Sequence, residues 1–334
     1  MSDCPKAMHY GPCGGVQPDG ACELGDDRCA FLEADVAPPS PPVTARLAPA
    51  ARELLTLMDR RPVVVTDLAA DPLSSDGLRA VAATVAGHVD AGLLGDAPSA
   101  RVQLPVMLRA LLAAEEGVRP WGSLTCRDRN RVALEGELAG LAAIGVPAVH
   151  CITGDHPALG HRPDARAVFD LDSTELTSRA AATGMLVSVA EAPAAPPRAR
   201  RAARAAAKAA AGAHVCFVNH AGGPEAVAEF VAELRTRSPT LRCIACVPVA
   251  TSPRGLEQVA AFVPGAAVPE ATAAALRDPD PVGAAVRAAV AGAEALLAID
   301  GVDGVDLSAA AAPGEELAVA AALALAGAAL GGGA

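Results

Sequence analysis

Residues 120–155 read PWGSLTCRDRNRVALEGELAGLAAIGVPAVHCITGD and contain one repeat of the pattern that predicts the fold. The segment begins with a short apolar run and continues with a helix-length stretch in which Leu and Ala are interspersed with Arg and Glu. A short turn then leads into a second apolar run, residues 147–152. Two apolar runs separated by a helix predict parallel strands joined by a crossover helix.

Eight apolar runs of this kind follow one another along the chain, with helix-length segments after or between them. The runs are PVVVTD (62–67), GHVDAGLLGD (87–96), PWGSLTC (120–126), PAVHCITGD (147–155), GMLVSVAE (184–191), AHVCFVN (213–219), LRCIACVPV (241–249) and GVDGVDL (301–307). This alternation is typical of a (β/α)8 TIM-type barrel, an α/β fold that we expect over residues 62–334. A doubly wound sheet is the alternative, but the Gly-rich dinucleotide turn is missing after the first run.

Composition narrows the function classes. Of the 334 residues, 52% are hydrophobic and only 2% aromatic, and the formal net charge is −11. Nucleic acid is a poor partner for such a chain, because phosphate backbones are bound by clustered Lys and Arg and single-stranded bases by aromatic stacking. The sequence has no N-terminal apolar signal and no long, strongly apolar run, so we expect a cytoplasmic protein without membrane contact. Its nine Cys are then expected to be reduced.

Four cysteines cluster at the beginning of the chain, in a stretch rich in Gly and Pro that has too few apolar residues to fold alone. Four thiolates around one ion would hold such a segment together. We therefore predict a metal-binding module over residues 1–32, with Zn²⁺ as the first candidate and a 4Fe-4S cluster as the second. The alternative is a disordered tail with scattered cysteines. The predicted ligands are Cys4, Cys13, Cys22 and Cys29.

The module is followed by a Pro-rich linker and a short helix, residues 33–61. Beyond it, polar residues close most of the predicted strands, and in a barrel the carboxyl ends of the strands meet on the face where chemistry occurs. These residues are Asp67, Asp96, Thr125 with Cys126, Thr153 to Asp155, Glu191 and Asn219. A single Asp or Asn at such a place is more often a turn or cap residue, but a converging set points to a site. The remaining cysteines, including Cys243 and Cys246, are interpreted as core residues.

Several motifs resemble those of the methylenetetrahydrofolate reductase family. LTCRDRNR (124–131) is similar to that family's third-strand end, and ITGDHP (152–157) to its fourth-strand flavin loop. Further similar stretches are VFDLDS (168–173), Lys208 with the sequence that follows it, CVPV (246–249), and the block CPKAMHYGPCGG (4–15), which resembles a four-Cys module attached to such reductases or carried by their partner subunit.

The resemblance implies reduction of 5,10-methylenetetrahydrofolate to 5-methyltetrahydrofolate, in one-carbon and methionine metabolism, with NAD(P)H as electron donor and FAD as hydride carrier. It places Asp155 beside the flavin, where its charge would tune the reduction potential. The other implied cofactor contacts are Leu124, Thr125, Cys126, Thr153, Gly154, His156, Phe169, Asp170 and Lys208. The implied folate contacts are Asn219 and Glu191. A homo-oligomer and an electron-transfer or methyltransferase partner protein are also expected.

The chain departs from the family at three places. The family's proton-donating Glu at the end of the first strand is replaced by Asp67, which is one methylene shorter. An Arg/Ala-rich stretch replaces the aromatic and basic FAD-binding segment after the fifth strand, and the last strand lacks the family's Asn-Arg pair. These departures keep two alternatives open: a flavin-independent NAD(P)H-dependent folate reductase, and a folate-binding or scaffold paralogue of weakened activity that works with a partner subunit.

Overall fold

A computed structural model describes residues 4–96, 101–261, 268–309 and 311–333, and its central feature is a closed barrel of eight parallel strands. The strands pair in sequence order, and β8 closes the barrel by pairing with β1. They are β1 (Val63–Asp67), β2 (Ala91–Leu94), β3 (Pro120–Thr125), β4 (Ala148–Ile152), β5 (Leu186–Glu191), β6 (Val215–Val218), β7 (Arg242–Val249) and β8 (Val302–Ala309). The (β/α)8 prediction is confirmed, and the doubly wound alternative was wrong.

The first helix precedes the strands, and the later helices follow them and form the outer layer of the barrel. They are α1 (Pro49–Arg60), α2 (Ser75–Val85), α3 (Val106–Glu115), α4 (Arg131–Ala143), α5 (Ser173–Ala180), α6 (Arg201–Ala210), α7 (Gly223–Arg237), α8 (Pro253–Ala261), α9 (Glu270–Ala275), α10 (Pro281–Leu297) and α11 (Glu316–Ala329). No helix in the described part of the chain is long and apolar enough to cross a membrane.

The strands separate two cores, because successive side chains of a strand point to opposite faces. On β1, Val64 packs into the outer core between barrel and helices, whereas Val63 and Val65 pack into the barrel interior. The interior contains the aromatic rings of Trp121 and Phe217, which meet edge to face with ring centroids 5.2 Å apart. These two large rings fill interior space that the neighbouring Ala and Val side chains are too small to fill.

Helix α1 closes the amino-terminal end of the barrel. Its Ala51, Leu54 and Met58 are buried in the same cluster as residues at the beginnings of the strands, such as Ala148 and Val215. The helix begins with Pro49, whose fixed φ and missing N–H suit the first turn. The short helix that the sequence assigned to a linker is therefore a plug for the barrel.

We expect Leu54→Ala to lower the free energy of unfolding by about 2–5 kcal/mol, because it opens a cavity beneath the barrel. Urea denaturation followed by circular dichroism measures the loss. Leu317→Ala is the matched control, since Leu317 on α11 is 54% exposed. An equal loss in both variants would contradict a plugging role for α1.

Candidate functional site

The predicted site residues lie at the carboxyl ends of the strands, around one face of the barrel. Their side chains differ in how much surface they expose. Asp67, Asn219 and His156 are partly exposed and Asp155 is exposed. Leu124 and Cys126 have no exposed surface and pack in the outer core. The side chains that resemble flavin-lining residues thus fall into a reachable group and a buried group.

Asp96 follows β2 and links the ends of β2 and β3 through hydrogen bonds. Its Oδ2 accepts hydrogen bonds from the backbone N–H and the hydroxyl of Thr125, at 3.1 and 2.7 Å, and from Arg129 Nη1 at 2.6 Å. Burial alone would raise the pKa of Asp96, but Arg129 and Thr125 outweigh burial and the pKa lies below its usual value. Thr125, predicted as a cofactor contact, therefore uses its hydroxyl within the protein.

The loop after β4 packs closely on β3. Gly154 has φ +86°, and a Cβ there would stand 3.0 Å from Thr125 Cβ, so the loop requires glycine for both conformation and space. Further along this loop, the rings of His156 and Phe169 stack with centroids 5.9 Å apart. Two residues predicted to contact a cofactor thus contact each other.

Residues 168–173 contain two aspartates, Asp170 and Asp172, that form contacts with neighbouring segments. Asp170 forms an exposed ion pair with Arg131 at 2.9 Å, and this hydrogen-bonded contact lowers the pKa of Asp170 to about 2. Asp172 is fully buried and caps α5. Thr153, also buried, accepts a hydrogen bond from the backbone N–H of Ser173 at 3.2 Å.

Glu191, at the end of β5, lies at the centre of a buried charge cluster. Its carboxylate accepts hydrogen bonds from Arg201 at 3.1 Å, Arg204 at 2.9 Å and Lys208 at 3.3 Å. All four side chains are at most 4% exposed. Burial alone would raise the pKa of Glu191, but Lys208, Arg204 and Arg201 together hold it well below its usual value. We call these four residues the Glu191 cluster.

Lys208 and Asn219, two residues implied as ligand contacts, form hydrogen bonds within the protein. Lys208, implied by the resemblance to contact a pyrophosphate, donates to the carbonyl of Ala190 at 2.5 Å as well as to Glu191. Burial and the neighbouring Arg204 lower its pKa to about 8. Asn219, implied as a folate contact, accepts from the N–H of Ala221 at 2.7 Å and keeps part of its surface exposed.

The amino-terminal segment docks on this same side of the barrel. Arg201 reaches from the Glu191 cluster to the carbonyl of Cys13 at 3.0 Å, and the buried Asp172 accepts from the N–H groups of His9 and Tyr10 at 3.2 and 3.3 Å. A second buried pair, Lys6 with Glu23 at 2.6 Å, lies within the segment.

Glu23 also accepts from the backbone N–H of His156 at 3.2 Å, so the segment touches the β4 loop directly. Burial would lower the pKa of Lys6, but Cys13, Glu23 and Asp155 raise it overall. Lys6 and Glu23 carry no sequence motif of their own, and only their contacts in the fold reveal them.

The four predicted metal ligands lie near one another. Burial raises the pKa of Cys29, and Cys13, Cys4 and Cys22 are close enough to add to that rise. Within the described ranges, however, no group of three or more His, Cys, Asp or Glu side chains is close enough to hold a metal ion. The donor chemistry suits a metal, the distances do not form a closed site, and metal binding stays a prediction.

The opposite side of the mouth contains a residue, Asp306, that was not among the site residues predicted from the strand ends. Asp306 on β8 is 2% exposed and stands in register between Val65 of β1 and Cys246 of β7. The sequence did carry a signal, because Val305 and Leu307 are apolar and a strand of period two then turns Asp306 to the other face. Cys246, assigned to the core, faces this interior side as well.

The amino-terminal segment is similar to a known protein family. Residues 1–36 match the family model described as "Methylene-tetrahydrofolate reductase C terminal". This confirms the resemblance of the amino-terminal segment to the methylenetetrahydrofolate reductase family. In this chain the reductase-family module precedes the barrel.

The barrel is similar to a solved structure from Clostridium thermocellum, described as an uncharacterized protein that binds two copies of 5-methyl-5,6,7,8-tetrahydrofolic acid. The TM-score is 0.58 at 12% sequence identity, and the alignment covers 82% of this chain and 96% of the other. This likeness supports the fold. No curated protein matches the chain.

Glu191→Gln is expected to lower the free energy of unfolding by about 3–5 kcal/mol, because it leaves three buried cations without their carboxylate. It should also speed proteolytic release of the reductase-family module, which shares Arg201 with the cluster. Denaturation and timed proteolysis measure the two effects. Glu233→Gln is the control, since its pair with Arg237 is exposed and such pairs contribute at most about 1 kcal/mol. Equal behaviour of the two variants would count against the cluster as the docking point.

Proposed function

We propose that the chain binds a reduced folate at the carboxyl end of the barrel and reduces its 5,10-methylene group to a 5-methyl group. Three observations support the proposal: the reductase-family module, a barrel whose structural neighbour binds methyltetrahydrofolate, and a carboxyl group at the end of β1. The observation that carries it is the module match, because it is the one link to this family that rests on a family model.

Asp67 is the proposed proton donor. The reaction needs a proton on the folate nitrogen that leaves the methylene carbon, the C–N electron pair then stays on that nitrogen, and the resulting iminium carbon accepts a hydride. Burial raises the pKa of Asp67 well above its usual value, and nearby Asp306 adds to the rise. A carboxyl group that keeps its proton near neutral pH is suited to general acid catalysis.

FAD remains the proposed hydride carrier and NAD(P)H the proposed electron source, as the resemblance implies. A flavin would supply two-electron chemistry between the nicotinamide and the folate. The fit is partial: Gly154, Asp155 and His156 have exposed surface, whereas Leu124, Cys126 and Lys208 are buried. A flavin bound here would therefore rely on the β4 loop.

A folate-binding scaffold is the second candidate. The observation that favours it is that Glu191 and Lys208, two implied ligand contacts, are hydrogen-bonded to each other in the buried cluster whose Arg201 binds the module. In this case the module would contact an electron-transfer or methyltransferase subunit, and the barrel would bind folate without turning it over.

Asp67→Asn is expected to lower kcat for methylenetetrahydrofolate reduction by a factor of about 10²–10⁴, because it removes the general acid, while folate binding is kept. Stopped-flow or steady-state kinetics and calorimetric titration with methyltetrahydrofolate measure the two quantities. Asp71→Asn in the following loop is the matched control, since Asp71 is exposed. Folate binding without turnover in the unaltered protein would favour the scaffold, and absence of folate binding would refute both candidates.

Freshly purified protein is expected to contain about one zinc per chain, bound by the four amino-terminal cysteines. Metal analysis and the absorption spectrum together distinguish this from iron with sulfide, and a flavin band reports FAD in the same measurement. Cys29→Ser should lose the metal, whereas Cys243→Ala, at a buried barrel cysteine, should keep it. A metal-free protein that retains its fold would contradict the predicted site.

A further inference from the structure

The barrel interior holds two carboxyl groups on adjacent strands. Val63 and Val65 point into the interior, so Asp67, two residues further on β1, points the same way. On β8, Val305 and Leu307 pack in the outer core, which turns Asp306 inward. Because Asp306 pairs with Val65 across the strands, its carboxyl lies one step below that of Asp67 on the same wall.

In the described part of the chain, the surroundings of this pair offer hydrogen bonds but no ion-pairing cation. Ser308 donates to Asp306 Oδ2 at 2.6 Å, and the backbone of Ala309 donates to Asp67. The other oxygen of Asp306 is buried and accepts no hydrogen bond in the described structure. Among the described residues, no Lys, Arg or His forms an ion pair with either carboxylate.

The neighbouring strands provide no compensating charge. From β7 the thiol of Cys246 faces Asp306, and its pKa is raised by burial and by Asp306, which keeps the thiol neutral. From β2, Leu93 stands in register with Asp67 and is apolar. Two carboxylates in such an environment cannot both ionise at low cost, which favours retention of a proton by the pair.

We propose that Asp306 is a positioning residue whose carboxyl group shares a proton with Asp67 and so keeps Asp67 ready to protonate the folate. The role of this proton in protonating folate rests on the proposed function. The presence of the proton on the carboxyl pair is independent of that function. Asp67 is partly exposed and can reach a ligand, whereas Asp306 is buried below it. Burial raises the pKa of Asp306 to about 6, consistent with a pair that titrates together near neutral pH.

The test is infrared titration of the whole ligand-free protein, prepared with isotope-labelled aspartate. A protonated aspartate band is expected near pH 7 in the wild type and should be reduced in Asp67→Asn. In Asp306→Asn the loss of this band should move to a pH lower by about 1–2, because the second carboxyl no longer opposes ionisation of Asp67. Asp306→Glu should restore the wild-type midpoint. Asp300→Asn, at an exposed aspartate before β8, is the control and should leave the midpoint unchanged.

Kinetics provide the second readout. At pH values above the wild-type midpoint, Asp306→Asn should lower kcat by about 10- to 100-fold, in step with the fall of the midpoint, while KM for the folate stays unchanged. A loss of kcat while the infrared midpoint stays in place would mean a merely structural role and would overturn the proposal. If no folate turnover occurs at all, the proposed function fails while the infrared result still decides whether the proton is shared.

Stability gives a third measurement that needs only the wild type and one variant. A raised carboxyl pKa means that the folded state binds more protons than the unfolded state, so stability falls as pH rises from about 4 through the folded midpoint. The urea midpoint of the wild type should fall over this range, and that of Asp306→Asn should fall less. If the wild type has no protonated aspartate at pH 7 and its urea midpoint is flat, the proposal is refuted even when the variants do not fold.

Discussion

One buried carboxylate, that of Glu191, links the amino-terminal module to the barrel. Its three cationic partners all come from α6, and one of them, Arg201, also binds the backbone of the module at Cys13. Because a buried cation without a partner is costly, strand β5, helix α6 and the module are held in one arrangement. The position of the β4 loop follows from it, since Glu23 of the module holds the N–H of His156.

The two sides of the barrel mouth differ in their electrostatic environment. On the β4–β5 side, three cations surround the carboxylate of Glu191 and stabilise its negative charge. On the β7–β8–β1 side, two carboxyl groups lie beside a neutral thiol and apolar residues, and protonation is favoured. A ligand in the mouth could reach the carboxyl pair through the partly exposed Asp67, whereas the Glu191 cluster is buried.

The barrel could be predicted from sequence because each strand is a short apolar run and each helix has its own spacing, both of which are local signals. The strand-end residues were found for the same reason. The ligand-facing roles could not be assigned locally: Lys208 looks like a phosphate contact until Glu191 is placed beside it, 17 residues earlier in the chain but in direct contact in the fold. Asp306 was missed because its partner Asp67 lies at the other end of the barrel sequence, and only closure of β8 onto β1 brings them together.

The barrel interior contains the one Trp of the chain, and this has a practical consequence. Trp121 is fully buried, its Nε1 donates to Ser188 at 2.9 Å, and it packs against Phe217, all inside the barrel. Intrinsic tryptophan fluorescence therefore originates from a single place. Its emission reports the hydration of the barrel interior alone, so opening of the barrel can be followed optically and separately from detachment of the tryptophan-free module.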